Sequence, residues 1–260
     1  NYYVSAGYYN NDGVSYGNSF NRYSFRVNTT GKRGWFSFGE NLAYSLTNKD
    51  PLQTNPYNDV MRMMPTIPVY DENNPGGYGD AAKYNTFGTN PIARENLEEM
   101  EERQNRINGS VWLEFKPFDF LSYKFNGGID LYFYEKSWFR GEGNWTQNQE
   151  HRDPESQKQR DNTYNMLIEH TLNFNKDFGK HHVDAVVGTT YQSHEWEGLW
   201  ASRLNFPLIS DEEWLHVLDA GKSNQQNTNS ISKNAMISYL GRANYIYDDK
   251  YYLTATFRRD

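Results

Sequence analysis

From Ile107 to Phe133 the sequence sorts by parity. Ile107, Gly109, Val111, Leu113 and Phe115 are apolar or small, whereas Arg106, Asn108, Ser110, Trp112 and Glu114 between them are mostly polar. After Lys116-Pro117-Phe118-Asp119-Phe120 the alternation resumes. Leu121, Tyr123, Phe125, Gly127, Ile129, Leu131 and Phe133 are set against Ser122, Lys124, Asn126, Gly128, Asp130 and Tyr132. Successive side chains of a strand point to opposite faces, so the stretch predicts a hairpin with one greasy and one charged wall. Each strand is longer than the roughly 5–6 residues usual in globular sheets. Each also reaches the about 9–11 tilted residues that cross a bilayer. The pattern points to a piece of a transmembrane barrel wall.

The same pattern repeats along the chain. Apolar sets at Tyr2–Tyr8, Tyr23–Val27, Phe36–Tyr44, Tyr164–Phe174, Val183–Tyr191, Ala235–Tyr245 and Tyr251–Phe257 bring the expected count to about nine strands. Tight turns, such as Thr30–Gly34 and Lys176–Lys180, alternate with longer connections expected at about 47–102, 135–163 and 193–233. Short turns on one side and long loops on the other are the mark of an outer-membrane barrel, with the long loops extracellular. An odd count does not close an ordinary bacterial barrel, so the chain reads as part of one barrel domain. Glu40 interrupts an apolar face, and Gly39 beside it is a candidate bulge that would re-aim the register. The stretch from Ala93 to Arg103 fits either a short acidic helix or an extension of the next strand.

Composition agrees with a wet-sided barrel. The mean hydropathy is strongly negative, but half of every barrel strand faces water, so a low average does not exclude a membrane wall. No run of about 18 apolar residues occurs, which excludes a membrane-spanning helix. Aromatic residues make up 17% of the chain, a level that suits interfacial girdles and sugar-binding surfaces alike. There is no cysteine, hence no disulfide framework or thiolate metal site. The net charge of −7 argues against a nucleic-acid partner.

The last hairpin, Tyr239-Leu240-Gly241-Arg242-Ala243-Asn244-Tyr245 through Asp248-Asp249-Lys250-Tyr251-Tyr252-Leu253-Thr254-Ala255-Thr256-Phe257-Arg258-Arg259-Asp260, resembles the signature hairpin of SusC/RagA-type TonB-dependent outer-membrane transporters. Tyr2–Tyr8, Arg22–Asn28, Asn90-Pro91-Ile92-Ala93 and Asn205-Phe206-Pro207 resemble the same family, in order along the chain. The resemblance implies an antiparallel transmembrane barrel in the bacterial outer membrane. It also implies an N-terminal plug, energising by TonB and a SusD-like surface lipoprotein as partner. It implies import of a bulky nutrient, an oligosaccharide first or else a peptide, with no covalent chemistry and no cofactor. The plug, the TonB-contacting segment and the closing strands are expected outside these residues. The rivals are a soluble aromatic-rich carbohydrate-binding module or lectin, and a β-rich glycoside hydrolase domain.

Candidate solute-binding residues are the tryptophans of the expected loops, Trp138, Trp145, Trp196 and Trp200, together with polar-face Arg22, Arg26 and Arg242. Indoles there stack on sugars, pack against a lid protein, or pin loops to one another, and pinning is the blandest reading. For the arginines the bland reading is ion pairing with carboxylates such as Asp130 and Glu114. His181 and His182 are adjacent on a strand and point to opposite faces, a poor chelate, so no metal site is expected. Asp71-Glu72-Asn73-Asn74 lacks a calcium-loop pattern. Asp211-Glu212-Glu213 reads as the polar start of a short helix.

Overall fold

A computed structural model describes residues 1–14, 17–51, 56–145, 151–207 and 216–260. Among them nine antiparallel strands form one sheet in sequence order. They are β1 (Tyr2–Asp12), β2 (Ser19–Arg33), β3 (Phe36–Asp50), β4 (Glu98–Phe118), β5 (Leu121–Arg140), β6 (Glu155–Phe178), β7 (His181–Leu204), β8 (Ser223–Tyr247) and β9 (Tyr251–Arg259). Tight turns join β2–β3, β4–β5, β6–β7 and β8–β9 at one end. No described helix is long and apolar enough to cross a membrane.

The register aligns the greasy positions of neighbouring strands. Val4 lies opposite Val27 and Val27 opposite Leu42. Leu113 faces Phe125, Gly109 faces Ile129, and Ile129 in turn faces Met166. A slip of one residue in any strand would move its whole apolar set to the charged wall, so the pattern fixes the pairing. No second sheet covers this face among the described residues. Val187 is 54% exposed, Ile237 52% and Phe257 62%. A soluble sandwich would bury such a face about 10 Å from a partner sheet.

The apolar face has two aromatic edges. At the short-turn end Trp35, Phe36, Phe115 and Tyr123 form a chain of ring contacts with centroids 5.0–6.4 Å apart. The row continues through Phe118, Phe120, Phe174 and Phe178, and ends at Tyr247 and Tyr251. The upper edge carries Tyr8 against Tyr23 at 4.9 Å, and Phe133 against Tyr164 at 5.7 Å. Directly above it the same face turns polar, with a Glu135–Arg160 pair at 3.2 Å and a Glu195–Lys233 pair at 2.6 Å. From Leu121 to Phe133 the strand covers about 40 Å. Tilted as barrel strands are, that is about 30 Å of height, enough for the hydrocarbon core.

Three expectations are corrected. First, Gly39 is not a bulge. The β2–β3 register runs unbroken through Thr29 opposite Glu40 and Thr30 opposite Gly39, so Glu40 stays on the apolar face. Gly39 answers a different need, because a Cβ there would lie 2.4 Å from Nε1 of Trp112 across the strands. The indole lies on the glycine, and Lys124 sits 5.3 Å from the ring centroid.

Second, the irregular connections are shorter than 135–163 and 193–233, because β5 runs to Arg140, β6 starts at Glu155, β7 ends at Leu204 and β8 starts at Ser223. Above the bilayer edge both faces are wet, so the extended strands show no hydrophobic period and read as loops. Third, the 47–102 segment carries regular structure among its described residues. β3 continues to Asp50, and the connection holds helix α1 (Pro56–Arg62), a 3-10 turn (Ala82–Tyr84) and helix α2 (Pro91–Leu97). Both readings of Ala93–Arg103 apply in succession, since α2 ends at Leu97 and β4 begins at Glu98.

Candidate solute path and its cap

The described connections at the long-loop end pack into a cap, and Asn90 is its hub. Its side-chain oxygen accepts from the Ile92 and Ala93 backbone N–H groups at 3.2 and 3.1 Å, capping α2. Its amide donates to the carbonyls of Val69 at 2.8 Å and Gly79 at 3.2 Å. Its backbone N–H donates to the Trp145 carbonyl at 3.0 Å. One residue thus joins three stretches of chain. Pro91 suits the first helical position, where an N–H would have no partner, and Ala93 is fully buried. The Asn90-Pro91-Ile92-Ala93 sequence is a helix start that also fastens the cap.

A second clasp lies on the other side of the same rim. Phe139 stacks on His216 with centroids 3.6 Å apart and meets Phe206 edge-on at 5.7 Å. Ser156 Oγ donates to the His216 carbonyl at 2.8 Å. Asn205 takes a left-handed conformation, φ 62°, which lets Phe206 turn inward and become buried. Sequence reasoning passed over Asn90, Phe139, Ser156 and His216 as cap residues. The family-like Asn90–Ala93 and Asn205–Pro207 segments were the signal for their neighbourhood.

The cap also holds a tight charge cluster. Arg94 pairs with Asp59 at 2.8 Å, and Arg140 with Glu155 at 3.1 Å. Burial pushes the Glu98 carboxyl above its ordinary range, partly offset by Arg94, Arg140 and Arg152. Lower in the connection Asp71 pairs with Lys83 at 2.7 Å and accepts from the Asn73 N–H. The Lys83 hydrogen bond, then that of Asn73, hold the Asp71 carboxyl below its ordinary range.

The tryptophans part company. Trp145 is fully buried, and Trp138 is 5% exposed with the Arg140 guanidinium 5.4 Å from its ring centroid. Neither indole offers a free ring face in this arrangement. Trp196 and Trp200 are on strand β7, not in a loop, and share the polar face with Gly198 between them. A Cβ on Gly198 would lie 2.5 Å from the Trp196 ring, so the glycine makes room for that indole to lie along the strand. Both rings are half-buried. Trp214 and Asp211-Glu212-Glu213 lie outside the described residues.

The arginines depart from the ion-pair expectation. Asp130 is taken by Arg106 through two hydrogen bonds, at 2.9 Å from Nε and 2.8 Å from Nη2. Among the described residues no carboxylate lies within pairing distance of Arg22, Arg26 or Arg242; Arg242 Nε reaches only Asn244, at 3.4 Å. Arg22 and Arg26 share a cavity of about 480 Å³ with Arg106, Ser24, Ser45 and Asn108. Arg242 lines another, nearer the short turns, with His182, Asp184 and Thr254. His181 and His182 do point apart, the first to the Tyr245 hydroxyl and the second to Asp177, each at 2.6 Å.

A single antiparallel sheet with a girdled apolar face, a charged opposite face and alternating short and long connections defines the wall of an outer-membrane barrel. Comparison with known proteins narrows this. Over its whole length the chain is 28% identical to TonB-dependent receptor P3, and 24% identical to TonB-dependent receptor P26, both of Formosa agariphila. It spans 26% of the length of each. The RagAB peptide importer in its open-open state matches 99% of the chain with a TM-score of 0.75 at 21% identity, covering 29% of that chain. No family model matches. The resemblance to SusC/RagA-type TonB-dependent transporters read from the last hairpin thus holds along the chain, and the fold is that of their barrel wall.

Proposed function

We propose that residues 1–260 are part of the barrel of a TonB-dependent importer in the bacterial outer membrane. The chain would cross the bilayer with every strand, and its polar face would line the path of a bulky nutrient. An oligosaccharide is the first reading, because Trp196 and Trp200 place aromatic rings on the polar wall above the upper girdle, where they can stack on sugar faces. A peptide is the second, supported by the likeness to the RagAB peptide importer. A SusD-like lipoprotein would close the rim around the cap. TonB would act through an N-terminal region of the whole receptor. The work is binding and passage, with no covalent step and no cofactor.

The observation that carries this reading is the band of exposed apolar side chains bounded by aromatic rows, opposite a wall bearing Arg22, Arg26, Lys124, Asp130 and Arg242. An Arg or Lys on the lipid side near the midplane costs roughly 2–4 kcal/mol, and each of these charges lies on the other side. The test is fractionation of the full-length receptor. It should sediment with outer membranes, need detergent for extraction, and support TonB-dependent accumulation of an oligosaccharide or peptide. Recovery in aqueous buffer, or hydrolysis of an oligosaccharide by the purified protein, would refute the reading.

A further inference from the structure

The polar face is not uniformly charged. On β4 to β6 it mixes signs, with Arg106, Glu114, Lys124, Asp130 and Glu169 interspersed. On β1 to β3 its charged residues are Arg22, Arg26, Lys32 and Lys49, all basic. Asp12, Glu40 and Asp50, the acidic residues of those strands, have the opposite parity and lie on the apolar side. The continuous register through β1–β4 makes this separation firm.

Within that basic sector three guanidinium groups surround a floor of small hydroxyl side chains. Arg22 and Arg26 flank Ser24 on β2, Ser24 lies opposite Ser45, and Ser45 lies opposite Arg106. Arg22 and Arg26 are about 13 Å apart along the strand, and β2 and β4 are about 10 Å apart across the sheet. The cavity they line is an open hollow of about 480 Å³ on the polar face. Arg106 has its charge answered by Asp130. Arg22 and Arg26 have no carboxylate among the described residues, so the cavity carries two unmatched positive charges. Unmatched guanidinium groups attract planar or tetrahedral oxyanions, which they bind through two parallel hydrogen bonds.

We propose that the Arg22–Arg26 cavity binds a carboxylate of the imported solute, so that the transporter selects anionic cargo. The proposal rests on the importer reading above. Ser45 supplies a neutral donor beside the anion, while the Ser24 hydroxyl donates to the Gly7 carbonyl at 3.3 Å. The position of Arg22 next to Tyr23 of the upper aromatic edge puts the cavity in the half of the wall that an incoming solute meets first. A carboxylate can come from an acidic sugar or from an acidic or free C-terminal peptide, and the experiment separates them.

Crystals of the full-length receptor soaked in selenate should show an anomalous peak within hydrogen-bond reach of the Arg22 and Arg26 guanidiniums, lost in the Arg22→Gln/Arg26→Gln variant. Displacement by digalacturonate assigns the anion to a carbohydrate, and displacement by the dipeptide Glu-Glu assigns it to a peptide. In cells, each single variant should lower uptake of the displacing anionic solute about tenfold at limiting concentration, as expected for loss of one charge-assisted hydrogen bond. Four results overturn the proposal: no peak at the cavity, a plug carboxylate already seated there, a peak displaced by neither competitor and so an adventitious ion only, or unchanged uptake in the double variant. Failure of the importer reading shows separately, as a receptor that does not fractionate with outer membranes.

Discussion

Replacing Ile129 by arginine tests which face meets lipid. Ile129 lies near the middle of the apolar run of β5, flanked across the ladders by Gly109 and Met166, and its side chain is 42% exposed with no described element above it. If that exposure is to hydrocarbon, the substitution costs roughly 2–4 kcal/mol, a loss of about 30- to 900-fold in the folding equilibrium. The control is Asn126→Arg, three residues away on the other face. Asn126 donates to Glu169 at 2.8 Å, a bond that a guanidinium can replace, so its cost should stay below about 1 kcal/mol. Both changes are made in the full-length receptor, and folded protein is scored by heat-modifiable gel mobility in outer membranes and by urea midpoints in lipid vesicles. Equal costs, or the reverse order, would mean the faces are wrongly assigned.

Three further outcomes follow from the cap and the glycine contacts. Asn90→Ala should remove a helix cap worth about 1 kcal/mol and the side-chain donor to the buried Gly79 carbonyl, while the Val69 carbonyl keeps the Gly79 N–H at 3.1 Å. Faster amide exchange over 63–97, with β5 and β6 unchanged, would register it. Gly39→Val must expel the Trp112 indole, and a red-shifted tryptophan emission in the folded receptor would report that. Asp71 and Glu98, two carboxyls of the cap, respond oppositely to acid. Asp71, held low by Lys83 and Asn73, stabilises its turn above the ordinary carboxylate range, and that contribution is lost as pH falls through its folded value below 3.8. Glu98, pushed up by burial, is favoured protonated, so the cap gains from acid and loses this contribution as pH rises above 4.5 through its raised value. Amide exchange of the cap, corrected for intrinsic rates, should therefore be slower at pH 5 than at pH 7, and Glu98→Gln should reduce the difference, with Asp80 and Glu95, which burial also raises, carrying the remainder.

The membrane-facing half of the structure was legible because one physical rule governs it. Where one side of a strand touches lipid and the other water, parity alone separates Leu121, Phe125 and Ile129 from Lys124, Asn126 and Asp130, and the pairing follows. The rule ends at Phe133 and Tyr164. Beyond them Glu135, Arg160 and Glu195 on the outward side meet water as the inward residues do, so Trp138, Trp196 and Trp200 read as loop residues although ladder hydrogen bonds carry β5 and β7 past them. Glu40 misled in the opposite direction. A charge on the greasy side suggested a register change at Gly39, but that glycine serves the indole of Trp112, a contact between residues far apart in sequence that periodicity does not encode. The arginine cavity was half visible: the faces of Arg22 and Arg26 were readable, and the capture of Asp130 by Arg106 was not.

The placement of the two clasps bears on how such a wall can change its cargo. Asn90 fixes its connection shortly before β4 and Phe206 fixes its own just after β7, the first by contacts to backbone and the second to a neighbouring ring. In the stretch before it the Asn90 side chain bonds the carbonyls of Val69 and Gly79, so the side chains of that stretch do not enter these bonds. Because the closure entropy of a surface loop grows only slowly with its length, the stretch before Asn90 can lengthen or change composition at small cost. Trp196 and Trp200 are different, since β7 is bonded to β6 and β8 on both sides at that height and cannot move them independently. Solute preference set by these rings would therefore change by substitution on a rigid wall, and preference set by the cap by remodelling between fixed clasps. A two-residue Gly-Ser insertion after Asn73 should accordingly loosen the turn that Asp71 and Asn74 close while leaving α2 protection unchanged, whereas the same insertion after Ile92 should abolish the capping bonds and unfasten the cap.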